Sequence, residues 1–196
     1  MNKIEPEVDQ LQRLVVGISG ASGVILGIRT LQVLHTMPIE VHLVVSPSAL
    51  VTIARETEWS MSDVNRLADV VYAHKDLAAG IASGSFDALG MIVIPCSIKS
   101  LSAIANSYSS NLLSRAADVT LKEGRKLLLV VRESPLHDGH IRLMSLASQA
   151  GAVIFPPVPA FYTQPGSMEE VVDNIVGRVL ARMGIPNYLY LQWGDG

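Results

Sequence analysis

Short apolar runs alternate with amphipathic segments along the whole chain. The runs are continuous in hydrophobicity, which is typical of strands buried on both faces of a sheet. The predicted strands cover residues 14–18, 41–45, 69–72, 91–94, 127–131 and 152–155. The predicted helices cover residues 22–35, 48–56, 62–67, 111–123, 138–149 and 167–183. This alternation predicts an α/β fold of three layers, in which a doubly wound parallel sheet of the flavodoxin or Rossmann type lies between helices.

Composition limits the number of domains and the kinds of partner that we expect for this chain. No repeat or shift in composition divides the 196 residues, so we predict an amino-terminal extension over 1–13 and a single domain over 14–196. Hydrophobic residues make up 49% and charged residues only 17%, which favours a homo-oligomer whose faces are covered by sister subunits. The net charge of −3 gives no general attraction to nucleic acid or to an anionic membrane.

The amino-terminal sequence and the cysteine count bear on the compartment. The opening MNKIEPEVDQLQR has no apolar core of a signal peptide, and no apolar run approaches the ~20 residues that span a bilayer. The one cysteine excludes an intrachain disulfide and suits a reducing compartment. We therefore expect a cytoplasmic protein.

The segments that follow the predicted strands carry most of the candidate chemistry. In open parallel sheets, ligands bind beyond the carboxyl ends of the strands. These segments read SGASG (19–23), SPSA (46–49), PCSIKS (95–100), RESPL (132–136) and PPVPAFY (156–162). Hydroxyls, glycines, prolines and one Arg-Glu pair dominate them, which predicts a site for an anion and a ring at this edge.

The first of these segments is a glycine turn between a strand and a helix. Its spacing is GxxGxxG over residues 17–23, whereas a dinucleotide fold expects GxGxxG and an acid at the end of the second strand. That second strand ends at Ser46, so a mononucleotide phosphate fits better, with Ser22, Ser46 and the serines of 97–100 as neutral donors. The alternative is that Gly20 and Gly23 only allow tight packing of the helix on the strand.

Five segments together carry a resemblance to a known family. They are GISGASG (17–23), GMIVIPCSIKSLSAI (90–104), SRAADVTLKEGRKL (114–127), VRESPL (131–136) and PPVPAFY (156–162). In this order they resemble the flavin prenyltransferases of the UbiX type, over roughly residues 14–183. The resemblance implies a flavoprotein that takes reduced FMN and dimethylallyl monophosphate as substrates and uses no metal. It further implies that prenyl transfer to flavin N5 and C6 gives prenylated FMN for a UbiD-type decarboxylase, and that the protein is a homododecamer.

The resemblance also implies the roles of individual residues. It assigns FMN binding to Gly20, Ala21, Ser22, Ser46, Ser97, Ile98, Lys99, Ser100 and Arg132. It assigns binding of the prenyl phosphate to Arg115, Lys122, Tyr162 and Arg178, with Arg115 supplied by a neighbouring subunit. It assigns catalytic roles to Ser22, Glu56, Lys122 and Glu133, the last as the base that removes a flavin ring proton. Without a metal, cationic side chains have to neutralise the leaving phosphate, and the π-face of Trp59 or Tyr108 is expected to assist in sheltering an allyl cation.

Some of these residues, and the function itself, have alternative interpretations. Cys96 follows a buried strand, which favours a core thiol over a nucleophile. His137 and His140 lack a third ligand nearby, which favours surface histidines over a metal site. The main alternative function is a non-catalytic FMN carrier or accessory subunit of an aromatic acid decarboxylase. A cysteine decarboxylase is disfavoured because His35 lies at the far end of the first helix, and a nicotinamide reductase is disfavoured by Ser46.

Overall fold

The computed structural model describes residues 11–192, and these contain one sheet of six parallel strands. The strands are β1 (Gln12–Ile18), β2 (Ile39–Val45), β3 (Val70–Tyr72), β4 (Gly90–Cys96), β5 (Lys126–Val131) and β6 (Val153–Ile154). Their spatial order is β3-β2-β1-β4-β5-β6, and every pair is parallel. The doubly wound α/β prediction is confirmed, and this strand order is that of a Rossmann sheet.

Seven α-helices accompany the sheet in the described residues. They are α1 (Val24–Leu34), α2 (Pro47–Glu56), α3 (Met61–Asn65), α4 (Ile98–Ala105), α5 (Leu112–Lys122), α6 (Asp138–Gln149) and α7 (Met168–Met183). Single 3₁₀ turns lie at Gly80–Ala82 and Phe161–Thr163. Six of these helices were predicted within two residues at each end, whereas α4 was predicted as part of the segment after β4.

The helices form two layers, each with its own apolar core. On one face Leu14, Val16 and Ile18 of β1 pack with residues of α1, α2, α3 and α7. On the other face Val15 of β1 packs with residues of α4, α5 and α6. Side chains of a strand point alternately to the two faces, so a continuous apolar strand serves both cores. The predicted three layers are therefore observed.

The sheet begins slightly earlier than the sequence indicated. Gln12 and Arg13, which were predicted to belong to an extension, are part of β1 and align with Ile39 and Glu40 of β2. Residues 1–10 lie outside the described residues, so the predicted extension is described only from Leu11 onward. Between residues 11 and 192, no helix combines the length and apolar character required to cross a bilayer.

The direction of each helix decides which edge of the sheet its ends reach. A helix that follows a parallel strand begins near the carboxyl edge and runs back to the amino edge. The next strand, β5, starts beside the start of β4, since Lys126 aligns with Gly90. Accordingly α5 begins at the carboxyl edge with Leu112 and ends at the amino edge with Lys122.

Candidate functional site

A crevice opens between β1 and β4, where the chain turns from one half of the sheet to the other. Ser19 lies at its base and is fully buried. Its hydroxyl donates to the carbonyl of Pro95 at 2.9 Å and accepts the N–H of Ser97 at 2.7 Å. The residues after β1 and after β4 are therefore held together at the point where Rossmann sheets bind ligands.

The glycine turn after β1 is held against α2. Gly23 is the N-cap of α1 in the left-handed region, with φ of 89°, a conformation that favours glycine. Its N–H donates to the carboxylate of Glu56, the last residue of α2, at 2.7 Å. A Cβ on Gly20 would lie 2.3 Å from the Ser48 hydroxyl, so glycine permits the turn to contact the first turn of α2. Ser22 is exposed between these two anchors.

A cavity of about 920 Å³ lies beside the glycine turn, at the carboxyl edge. Its walls include the first residues of α2, α4 and α5. Three N-cap side chains lie in this wall, and each accepts a backbone N–H three residues later: Ser46 from Ala49, Ser97 from Ser100 and Asn111 from Ser114. Three helix amino ends thus converge on one cavity, and each carries a partial positive charge of roughly +0.5.

Two lysines and one histidine add basic groups to the wall of the cavity. Lys75, Lys99 and His74 lie in its wall, and none of the described residues that line it is acidic. Burial lowers the pKa of His74, and the nearby Lys99 and Lys75 lower it further. The cavity therefore offers cations, N–H groups and hydroxyls to a bound group, which suits an anion such as a phosphate.

The structure brings together most of the residues predicted to bind a flavin. Ser46, Ser97, Lys99 and Ser100 line the cavity, and Ile98 begins α4 between them. Gly20 and Ala21 precede Ser22 in the adjoining turn, as described above. Arg132 follows β5 directly, is exposed, and donates its backbone N–H to the carbonyl of Cys96 at the end of β4.

The predicted base lies at the same edge of the sheet. Glu133 is exposed next to Arg132, and its carboxylate accepts the N–H of Ser134 at 3.1 Å. The rings of His137 and His140 lie 3.7 Å apart a few residues further on. Residues 11–192 contain no group of three or more His, Cys, Asp or Glu side chains arranged to hold a metal ion.

Two of the predicted phosphate-binding residues lie beyond β6. Tyr162 is in the 3₁₀ turn Phe161–Thr163, about half exposed, and its hydroxyl donates to the Leu191 carbonyl at 3.4 Å. Arg178 projects from α7, with its guanidinium carbon 5.8 Å from the ring centre of Phe155. Phe155 leads into the proline-rich turn before Tyr162.

The other two predicted phosphate-binding residues belong to α5, where Arg115 lies in the first turn and Lys122 is the last residue. Lys122 ends α5 at the amino edge, opposite the cavity, where it forms an ion pair with Glu123. This pairing lowers the pKa of Glu123, chiefly through its hydrogen bond from Lys122. Arg115 donates to the Ala82 carbonyl at 3.1 Å and to Asp118 at 2.9 Å.

The remaining candidates, Tyr108, Trp59 and Cys96, lie in three different places. Tyr108 is exposed and lines the cavity, whereas Trp59 packs against the core and lines a separate cavity with Met168. Cys96 is fully buried, and desolvation raises the pKa of its thiol to about 12. A thiol with this pKa stays protonated at neutral pH, so the interpretation of Cys96 as a core residue fits better than a nucleophile.

Three polar residues of the site were not singled out from the sequence. Ser19 joins the two loops, Ser48 contacts the glycine turn, and Asn111 caps the third helix at the cavity. The signal for Ser19 was present, because a hydroxyl directly after a buried strand needs a partner once it is itself buried.

Comparisons with known proteins agree with this geometry. A family profile described as Flavoprotein matches residues 2–183. The flavin prenyltransferase UbiX of Escherichia coli strain K12 is 54% identical over 186 residues, which cover 93% of this chain and 98% of that protein. A crystal structure of AnUbiX (PadA1) in complex with FMN and dimethylallyl pyrophosphate is 47% identical, with a TM-score of 0.93 over 95% of this chain and all of that one. A dodecameric FMN-dependent UbiX-like decarboxylase from Escherichia coli O157:H7 is 46% identical, with a TM-score of 0.92 over 94% of this chain and all of that one.

Proposed function

The chain belongs to the flavin prenyltransferase family of the UbiX type, and we propose that it joins the dimethylallyl group of dimethylallyl monophosphate to N5 and C6 of reduced FMN. The observation that carries this proposal is the cavity at the carboxyl edge, where three helix amino ends and two lysines face one space. A relative of the same fold and 47% identity has been crystallised with FMN and dimethylallyl pyrophosphate.

The residues of the cavity fit the phosphate and ribityl chain of FMN. Ser46, Ser97 and Ser100 supply hydroxyls, and Lys99 supplies a charge that the helix amino ends reinforce. The turn with Gly20, Ala21 and Ser22 lies beside them, and Ile98 and Arg132 flank the crevice. In this proposal the phosphate binds in the cavity and the isoalloxazine ring lies toward Ser22, where the prenyl group is transferred.

Loss of phosphate from an allylic carbon leaves an anion and an allyl cation, and both need stabilisation. We assign the anion to Arg178, Lys122 and Arg115, with no metal, and to the Tyr162 hydroxyl, which turns its single proton from the Leu191 carbonyl to the phosphate. The faces of the reduced flavin and of Tyr108 shelter the cation.

The position of Lys122 requires more than one chain for this site. Within a chain Lys122 lies at the amino edge of the sheet, and Ser22 lies at the carboxyl edge. Lys122 therefore reaches a prenyl phosphate only when it comes from a neighbouring copy, and we assign Arg115 to the same copy. We propose a homododecamer, which is supported by the dodecameric relative from Escherichia coli O157:H7 and by the low charged fraction of this chain.

Closure of the second bond, at flavin C6, requires removal of a ring proton. Glu133 is the proposed base, since it is an exposed carboxylate next to Arg132 at the carboxyl edge. Glu56 is proposed to lie beside the prenyl group, and it also fixes the turn that carries Ser22 through its hydrogen bond to Gly23. The products are prenylated FMN and phosphate, and a UbiD-type decarboxylase in the cytoplasm is proposed to receive the flavin.

One observation favours a second candidate, a non-catalytic FMN carrier for an aromatic acid decarboxylase. Lys122 and Arg115 already have partners within their own chain, namely Glu123 for the lysine and Asp118 and Ala82 for the arginine. If they kept these partners in the assembled protein, the prenyl phosphate would lose two of its four proposed ligands. The mass of the flavin after incubation with the donor distinguishes the two functions.

A further inference from the structure

The chain folds back on itself after the last helix. Gly184 ends α7 in the left-handed region, with φ of 90°, and the N–H of Ile185 then donates to the Leu180 carbonyl. Ile185 is buried, and Leu189 packs against the larger core cluster. Residues 185–192, here named the return segment, therefore lie along α7 and lead back toward the 3₁₀ turn with Tyr162.

Asn187 fastens the return segment to α7. Its side-chain amide donates to the Gly177 carbonyl at 2.9 Å and to the Ile185 carbonyl at 3.2 Å, and its oxygen accepts the N–H of Leu189 at 3.1 Å. All the hydrogen-bonding groups of this amide except one lone pair are therefore engaged in a single tight arrangement.

Gly177 is the residue that makes this contact possible. A Cβ there would lie 2.9 Å from both Asn187 Oδ1 and Leu189 Cβ, and 3.0 Å from Tyr190 Cδ1. Glycine is unfavourable inside a helix relative to alanine, and Gly177 lies well within α7. Close approach of the return segment gives a physical reason for a glycine at this position.

The return segment connects the two residues that the proposed function assigns to the prenyl phosphate from this side. Its Asn187 holds the backbone of Gly177, which directly precedes Arg178. Its Leu191 carbonyl accepts the hydroxyl of Tyr162 at 3.4 Å. Arg178 in turn lies over Phe155, which leads into the turn with Tyr162.

We infer that Asn187 is a positioning residue for the prenyl-phosphate side of the site, because it docks the return segment that holds Tyr162 in place relative to Arg178. The inference rests on the proposed function. Asn187 itself does not touch the FMN cavity, since it lines a separate one with Ala181 and Tyr190. Loss of the amide is therefore expected to weaken binding of the prenyl donor and to leave binding of FMN unchanged.

The test compares Asn187→Ala, Gly177→Ala and their double variant with the wild type. Each single variant is expected to raise the KM for dimethylallyl monophosphate about fivefold to tenfold, the loss expected for a few misplaced hydrogen bonds, with kcat and the Kd of FMN within about twofold. The double variant is expected to raise the KM no further than the more strongly affected single variant does, because both substitutions release the same contact. Tyr188→Ala is the matched control, since this side chain is fully exposed in the same segment.

Hydrogen exchange gives a second readout of docking. The Leu189 amide, which donates to Asn187, is expected to lose protection in Asn187→Ala and to keep it in Tyr188→Ala. Unchanged KM values in both single variants of an active enzyme would overturn the inference and leave the proposed function intact. Parallel losses of FMN affinity and kcat would overturn it as well. A wild type that forms no prenylated flavin would instead refute the proposed function, and the inference would fall with it.

Discussion

Ser19 links the two halves of the crevice, since its hydroxyl oxygen accepts the N–H of Ser97 at 2.7 Å while its proton is donated to Pro95 at 2.9 Å. This single buried group sets the distance between the glycine turn and the amino end of α4. The site proposed for the FMN phosphate therefore depends on a residue that does not itself line the cavity.

Ser19→Ala is expected to weaken FMN binding and to lower the stability of the protein. The substitution removes the acceptor of the half-buried Ser97 N–H, while the Pro95 carbonyl keeps the backbone N–H of Ser19 at 3.2 Å, so the expected cost is about 1 kcal/mol. Titration of FMN against the variant measures the first effect and thermal unfolding measures the second. Ser145→Ala, at an exposed position of α6, is the control. Wild-type affinity for FMN in Ser19→Ala would show that this link does not shape the site.

Glu56 gives a way to separate a hydrogen bond from a charge. Glu56→Gln keeps an oxygen for the N–H of Gly23, and Glu56→Ala removes it. We expect FMN affinity within about twofold of wild type for the glutamine and roughly fivefold weaker for the alanine, since one hydrogen bond to a carboxylate is lost. Equal affinities for the two variants would show that the contact with Gly23 does not hold the turn.

Mixed oligomers test whether a site is shared between chains. Lys122→Ala and Glu133→Ala are each expected to lower the rate of prenylation at least tenfold on their own. When the two variants are co-expressed and assemble at random, about a quarter of the sites combine an intact Lys122 with an intact Glu133, if these come from different chains. Recovery of about that fraction of activity is expected. No recovery, from mixed oligomers verified by two purification tags, would contradict the shared site.

His42 is expected to make stability depend on pH. It is buried on β2, with one ring nitrogen 2.9 Å from Glu40 and the other 2.9 Å from the Tyr72 hydroxyl. Burial lowers the pKa of His42 below its ordinary value of 6.5, although Glu40 and Asp69 oppose this and Arg13 adds to it. The unfolded chain therefore binds more protons than the folded chain as the pH falls below about 6.5, and stability decreases there.

The comparison of wild type with His42→Gln isolates this effect. We expect the thermal midpoint of the wild type to fall more steeply between pH 7.5 and pH 5 than that of the variant, which has no group to titrate at this position. The variant is also expected to be less stable at pH 7.5, because it loses the contacts to Tyr72 and Phe86. Identical slopes for the two proteins would assign the pH dependence to other groups.

The pattern of hydrophobic residues alone predicted every strand of the sheet, but it missed one helix. Six continuous apolar runs predicted all six strands. The four inner strands are covered on both faces and leave an unambiguous signal, and the edge strands β3 and β6, which are only partly buried, are short apolar runs as well. Helix α4 was missed because Ile98–Ala105 follows β4 directly and its cap, Ser97, is in the sequence one serine among several. The sequence also left the flavodoxin and Rossmann orders open, since strand order depends on contacts between distant segments.

The sequence likewise predicted some features of the candidate site and not others. The serines that cap α2 and α4 were predicted because they follow strands, and the sheet brings the ends of neighbouring strands together. Lys122 was predicted from motif order, which does not indicate the edge of the sheet at which a residue lies. Only the direction of α5 shows that Lys122 is at the opposite edge from Ser22. The packing of the return segment against Gly177 could not be predicted, because the sequence shows there only a glycine within a helical pattern.

The mass of the flavin shows whether the protein transfers a prenyl group to FMN. Purified protein is incubated anaerobically with reduced FMN and dimethylallyl monophosphate in a metal-chelating buffer, then denatured, and the released flavin is analysed by mass spectrometry. We expect a flavin heavier than FMN by one C5H8 unit, with release of phosphate. Unmodified FMN, bound with the donor present, would contradict the account and favour the carrier function.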